Sequence, residues 1–177
     1  MCKLVPPLVA ALIAFAAPAM AEDGPRYDAG GFARCIADAK AGTDIDAALN
    51  NCIGGASTQC MATPGGDTTV GMSQCLESET RDWDKLLNIN YARALKVAEA
   101  ADKELAELGS AASPAAPELR KAQRNWIAFR DSTCRYEVLR FQGGTAGGPA
   151  AQSCMLELTA DQALRLGRLT EGMEEQE

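Results

Sequence analysis

The cysteines constrain this chain more than any other feature. Six of its seven lie beyond a short apolar leader, at Cys35, Cys52, Cys60, Cys75, Cys134 and Cys154. The leader, MCKLVPPLVAALIAFAAPAMA, has one lysine, an apolar stretch through Phe15, and small residues at Ala19 and Ala21. That is the pattern of a secretory signal peptide over residues 1–21, which would carry Cys2 away with it. An even set of cysteines in a chain bound for an oxidising compartment predicts three disulfides. Zinc ligation is the competing use, but the sequence holds no histidine and no C-x-x-C pair, so no metal site is expected. Six cysteines allow roughly 15 pairings, and their number does not choose among them.

The leader's apolar run contains Pro6, Pro7 and Pro18 and falls short of the roughly 20 residues that cross a bilayer, so no membrane span is expected. No cysteine stands at the cleavage point, which predicts a periplasmic protein without a lipid anchor, beginning at Glu22. Its length fits one domain with one main core. The formal net charge is −7, and losing Lys3 makes it one unit more negative. An acidic exported chain with no basic run suits neither nucleic acid nor an anionic membrane, and fits a cationic partner better.

Gly30 to Lys40 and Asp44 to Ile53 read as two short helices around a Gly42-Thr43 break. Thr43 or Asp44 caps the second, and Cys35 would then face Cys52. GGASTQCMATPGGDTT follows as loop, with Gly54, Gly55, Pro64, Gly65 and Gly66 as breakers and the threonines as N-cap candidates; Cys60 and Cys75 flank it. From Val70, apolar or small residues recur three or four apart through Met72, Leu76, Trp83, Leu87, Tyr91, Ala94, Ala98 and Leu105. This predicts a helix of roughly forty residues ending at Gly109. A second long helix starts between Ser113 and Pro117. It carries Leu119, Ala122, Trp126, Phe129, Thr133 and Tyr136 on one stripe, with Gln123, Ile127, Arg130, Cys134 and Val138 beside it, a face wide enough for two neighbours. Gln142 to Gln152 breaks the chain, Met155 to Arg168 forms a third helix, and residues 171–177 form a solvated acidic tail. Nothing alternates as a half-buried strand does, so the class is all-α.

The short linker makes the two long helices an antiparallel hairpin. At about 1.5 Å rise per residue its register sets Trp126 opposite Val97, Arg130 opposite about Arg93, and Asp84 near Leu139 or Arg140. Asp84 and Arg130 are then roughly 13 Å apart along the axis, too far for an ion pair. The third helix, through Asp161, is the expected source of a partner for Arg130. A Cys134 to Cys154 bridge would require the glycine-rich loop to fold back about two turns, or the second helix to end early.

Cys60, TTVGMSQC running into WDKLLNINY, LRKAQRNWIAFRDSTC, the glycine-rich loop and CMLELTADQALRL together resemble the LprI family of bacterial envelope proteins, whose N-terminal domain is named for a lysozyme inhibitor. The resemblance runs from about Cys60 to Leu169. The family's patterns fall on Met72 and Cys75, on Asp84, Leu87, Asn88 and Tyr91 after Trp83, and on Ala122, Gln123, Trp126, Arg130, Asp131 and Cys134. The resemblance implies an LprI-like helical domain over 60–170, preceded by a short helical segment over 22–59 outside the pattern. It also implies non-covalent inhibition of a lysozyme-type muramidase, with no cofactor.

Trp83, Leu87, Tyr91 and Trp126 sit at helical spacing and read first as core, with Asn88, Asn90 or Gln123 satisfying the polar tips. Glu77, Glu79, Asp82 and Asp84 form an acidic band. It reads either as a solvated face at the positive end of its helix or as a docking surface for a cationic enzyme. Gly143, Gly144, Gly147 and Gly148 belong to a flexible connector or to an element that plugs a cleft. Catalysis is not expected. Without histidine no Ser-His or Cys-His pair exists, the cysteines are committed to disulfides, and a glycosidase-type carboxylate pair needs a cleft. The sequence therefore predicts an exported, disulfide-stapled helical bundle that binds another protein. The first reading is a lysozyme inhibitor; the alternative is a periplasmic adaptor that binds an envelope protein without inhibiting lysozyme.

Overall fold

The computed structural model describes residues 24–174, with side chains through residue 170. The expected leader and the last three residues of the acidic tail lie outside that range. All regular elements among the described residues are helices: α1 (Ala29–Ala41), α2 (Ile45–Asn50), α3 (Gly55–Met61), α4 (Thr69–Glu107), α5 (Ala115–Arg140) and α6 (Gly147–Glu174).

The first two helices form where glycine and capping residues place them. The Asp44 carboxylate accepts the Ala47 amide at 3.2 Å and starts α2, satisfying one of the orphan donors of a helix start. The segment expected as loop instead contains α3. Gly54 turns the chain at φ 82°, and the amides that open α3 find their acceptor on α4, in a residue the local sequence does not reveal. Thr68 caps α4, accepting the Gly71 amide at 2.9 Å. Gly71 itself must lack a side chain, because a Cβ there would overlap the Gly65 carbonyl.

Gly109 ends α4 in the left-handed region at φ 68°, as a C′ glycine does. The start of α5 is fixed from the other side of the turn. The Asp102 carboxylate accepts the Ala115 and Ala116 amides at 2.6 and 2.9 Å, and Arg120 pairs with Glu99. The hairpin register is thus one turn tighter than expected, with Glu99 rather than Lys103 opposite Arg120.

The third long helix is longer at both ends than its apolar pattern suggested. It begins at Gly147, two turns before Met155, because Pro149 falls in the first turn where its missing N–H costs nothing. It continues past Arg168 through Glu174, so residues 171–174 are helix rather than tail. The loop shrinks to residues 141–146, and Cys134 and Cys154, each about two turns away from it, meet in a disulfide. The other two bridges are Cys35–Cys52 and Cys60–Cys75.

Side-chain contacts give the bundle its directions. A Cβ on Gly148 would lie 3.4 Å from Ser73 Oγ, and Asn90 Nδ2 donates to the Ala163 carbonyl at 2.8 Å, so α6 runs parallel to α4. Gln162 donates to Gln123 at 3.0 Å, so α6 is antiparallel to α5. The core between them holds Trp83, Leu87, Ala94, Leu156, Ala160, Ala163 and Leu166, the alanines letting α4 and α6 approach closely. α5 leans on α6 through Gln123 and Cys134. Its expected apolar stripe is only partly used: Phe129 and Tyr136 stay 55% and 62% exposed, because α6 covers the neighbouring side.

Candidate functional site

The acidic band of α4 does not form one surface. At 100° per residue, Glu77 and Asp84 share one side of the helix while Glu79 and Asp82 point nearly opposite. Glu79 is fully buried, which corrects its expected place on an exposed docking face. Its two oxygens accept the Gly54 amide at 2.7 Å, the Ser57 amide at 2.6 Å and the Trp83 indole N–H at 3.1 Å. A buried carboxylate persists only when hydrogen-bonded in this way. Here it caps α3, orients Trp83 and ties the N-terminal helices to α4.

Asp82 belongs to the same internal network. The Tyr27 hydroxyl donates to it at 2.9 Å and Lys85 pairs with it at 2.6 Å, leaving the side chain 12% exposed. Burial, and next the Asp82 carboxylate, push the Tyr27 phenol well above its ordinary range. Phe32 on α1 meets Trp83 edge to face, ring centroids 5.2 Å apart. Of the band, only Glu77 is well exposed, paired with Arg81 across one turn at 2.9 Å. Asp84 is half-buried and accepts from Asn88 at 3.0 Å.

The residues of the family patterns are spread over both helices with distinct roles. Leu87 is core, and Tyr91 and Trp126 pack against the core from its edge. The polar tips find partners other than those expected: Trp83 uses Glu79, while Asn90 and Gln123 bond α6. Arg130 lies 4.9 Å above the Trp126 ring and pairs with Asp131 at 2.9 Å. Asp161 is not its partner, because the adjacent carboxylate and the indole face already hold the guanidinium. Phe32 is the structural support that sequence reasoning missed, and Glu79, named there as part of an exposed band, is a buried support instead. The one local signal was the i,i+4 spacing of Glu79 and Trp83.

The α5–α6 loop is open by contrast. Residues 141–146 are exposed throughout, with Gln142 and Gly143 at φ 50° and 87°. Gly143 and Gly144 are in this loop; Gly147 is buried in the first turn of α6 and Gly148 follows it in the helix. Leu139 and Phe141 rise from its α5 side at 68% and 40% exposure. A shallow groove lined by Val70, Ser73, Glu77, Thr145 and Pro149 separates the loop from the start of α4.

With all six cysteines of the described chain in disulfides and no histidine in the sequence, the site offers binding surfaces and no thiol or imidazole nucleophile chemistry. Among the described residues no group of three metal-ligating side chains converges, and no helix is long and apolar enough to cross a membrane.

Comparison with known proteins gives one family and one relative. The family described as "Lysozyme inhibitor LprI" matches residues 60–166, from the end of α3 into α6. An uncharacterized protein of Rhizobium meliloti (strain 1021), R02472, is 33% identical over 105 residues, covering 59% of this chain and 76% of the relative. No solved structure matches. The matched span contains α4, α5, the first 20 residues of α6 and two of the three disulfides, and the chain belongs to the LprI lysozyme-inhibitor family.

Proposed function

We propose that this protein is an exported, non-enzymatic inhibitor that binds a lysozyme-type muramidase non-covalently and presents the α5–α6 loop to it. The observation that carries this reading is family membership over residues 60–166, which span α4, α5 and most of α6. Three disulfides support export, and the periplasm is the compartment that fits a leader without a lipid-attachment cysteine. The net charge of −7 favours encounter with a cationic enzyme.

Of the two contact elements the sequence suggested, the glycine-rich loop is favoured over the acidic band. Glu79 and Asp82 are engaged internally and contribute only to the long-range field. The loop is better built for insertion: it projects from two helices held by the Cys134–Cys154 bridge, and Leu139 and Phe141 give it an apolar shoulder. Phe141, an exposed aromatic at the base of the loop, is a side chain that a partner's pocket could bury as an anchor. In a cell-wall lysis assay with c-type, g-type and i-type lysozymes, the oxidised protein is expected to suppress at least one. Undiminished lysis by all three contradicts the proposal.

A second reading has its own observation. Phe129 and Tyr136 are exposed on α5, an apolar face that an adaptor would use to engage an envelope protein.

A further inference from the structure

A small cavity closes where the C-terminal end of α1, the short helix α2, the middle of α4 and the C-terminal half of α6 meet. Its walls carry three cations, Lys40, Arg93 and Arg168, and one carboxylate, Asp46. This is a local excess of positive charge in a molecule whose net charge is −7. Lys40 is accounted for by the negative end of α1, whose last turn it occupies. Arg93 is not, because it lies mid-helix on α4 with no ion pair among the described residues. Arg168 has one, to Asp46, at a loose 3.5 Å with both side chains about half exposed.

The lining mixes these groups with Leu49, Leu86 and Leu164, and one largely buried polar side chain, Asn90, is built into it. Asn90 is only 8% exposed. Its Nδ2 uses one N–H on the Ala163 carbonyl, and the other has no acceptor among the described residues. Gly167 makes room for it, since a Cβ there would sit 3.1 Å from Nδ2.

We infer that this junction is an anion-binding site, taking the end of a small oxyanion or carboxylate. The cavity is small, about 30 Å³, and holds only a group of about water size. It therefore admits one oxygen onto the Asn90 amide and leaves the rest of the anion in the mouth, between the Arg93 and Arg168 guanidinium groups. Planar guanidinium forks suit phosphate, sulfate and carboxylate alike. Asp46 is the built-in competitor, since an anion must displace it from Arg168. The site is about 29 Å along the bundle from the α5–α6 loop, by the helical rise from Gly148 to Gly167, so its anion titration is read without lysozyme.

The test is calorimetric titration of the oxidised protein with inorganic phosphate, sulfate and acetate at constant ionic strength, using chloride as control. Thermal unfolding of each variant verifies that it folds. The wild-type chain is expected to bind at least one of the three above the chloride background, with phosphate and sulfate against acetate separating tetrahedral anions from carboxylates. Arg93→Gln should weaken binding about 10-fold, the loss of one charge-assisted contact. Asp46→Asn should tighten it several-fold by freeing Arg168. Equal affinity in wild type, R93Q and D46N, or no binding beyond chloride in any of them, overturns the site. So does binding that appears only when Glu171 and Glu174 are changed to Gln, which would assign the cations to the chain's own carboxylates.

Discussion

Two stretches, residues 54–71 and 141–148, look alike as sequence: short, rich in glycine and small polar residues, each opening a long helix. In the folded chain they are opposites. The first is locked. Glu79 reaches across from α4 to cap α3, the Cys60–Cys75 bridge closes the junction, and Gly71 lets the Gly65 carbonyl press against α4. The second is tied at its base by Cys134–Cys154, carries only turn hydrogen bonds of its own, from the Gly144 and Gly147 amides to the Phe141 and Gly144 carbonyls, and is exposed over residues 141–146. The difference comes from a partner outside the segment: one loop has a buried carboxylate aimed at its amides, and the other has none. Glycine-rich sequence thus signals turning of the chain, and what packs against it decides between scaffold and contact surface.

The largest expected effect breaks the locked side. Glu79→Ala leaves two backbone amides and the Trp83 N–H without their buried acceptor. It should cost about 3–5 kcal/mol, read as a fall of roughly 2 M in urea midpoint. A loss below about 1 kcal/mol would mean that the α3 junction is not held by this carboxylate.

The disulfides sharpen the comparison, because they close loops of 15 and 20 residues on the locked and the open side. Loop entropy alone assigns each about 3 kcal/mol. Paired serine substitutions at Cys60 and Cys75 should therefore destabilise about as much as those at Cys134 and Cys154. Only the second pair should also blunt lysozyme inhibition, since it frees the base of the loop. Equal effects on inhibition would remove the distinction between the two regions.

The smallest effect concerns Tyr27, which fastens the N-terminal segment to Asp82. Its phenol is raised above the ordinary 10.0 in the folded chain. The stabilisation is thus complete below about pH 10 and is lost as the unfolded phenol ionises above it. Tyr27→Phe should cost about 1 kcal/mol at neutral pH and flatten the decline above pH 10. A decline of unchanged slope in the variant would assign it to other groups.

Much of the scaffold was legible in the sequence, and for local reasons. Period-3.6 apolar spacing gave the long helices, Gly109 the end of α4, and the threonines before Val70 and Thr43 or Asp44 the candidate caps, while helix register argued against a Cys134–Cys154 bridge, which forms because α6 starts early, at Gly147. What stayed hidden was non-local. The amides of α3 are satisfied by Glu79 more than twenty residues on. The early start of α6 rests on a proline that reads as a breaker but suits a first turn. The acidic band misled because charge was read along the chain rather than around the helix: its carboxylates divide between a wet side at Glu77 and the buried side at Glu79. The α5–α6 loop was found, with Gly147 and Gly148 wrongly included, and its apolar shoulder at Leu139 and Phe141 was not separable from core-forming residues by periodicity alone.

The most direct test is amide hydrogen exchange of the oxidised protein, free and with an excess of the lysozyme it suppresses best in the lysis assay. The account predicts new protection confined to residues 139–147, with residues 77–84 unchanged because their protection is already internal. Protection over residues 77–84 with an unprotected loop, or no protection anywhere, would contradict it.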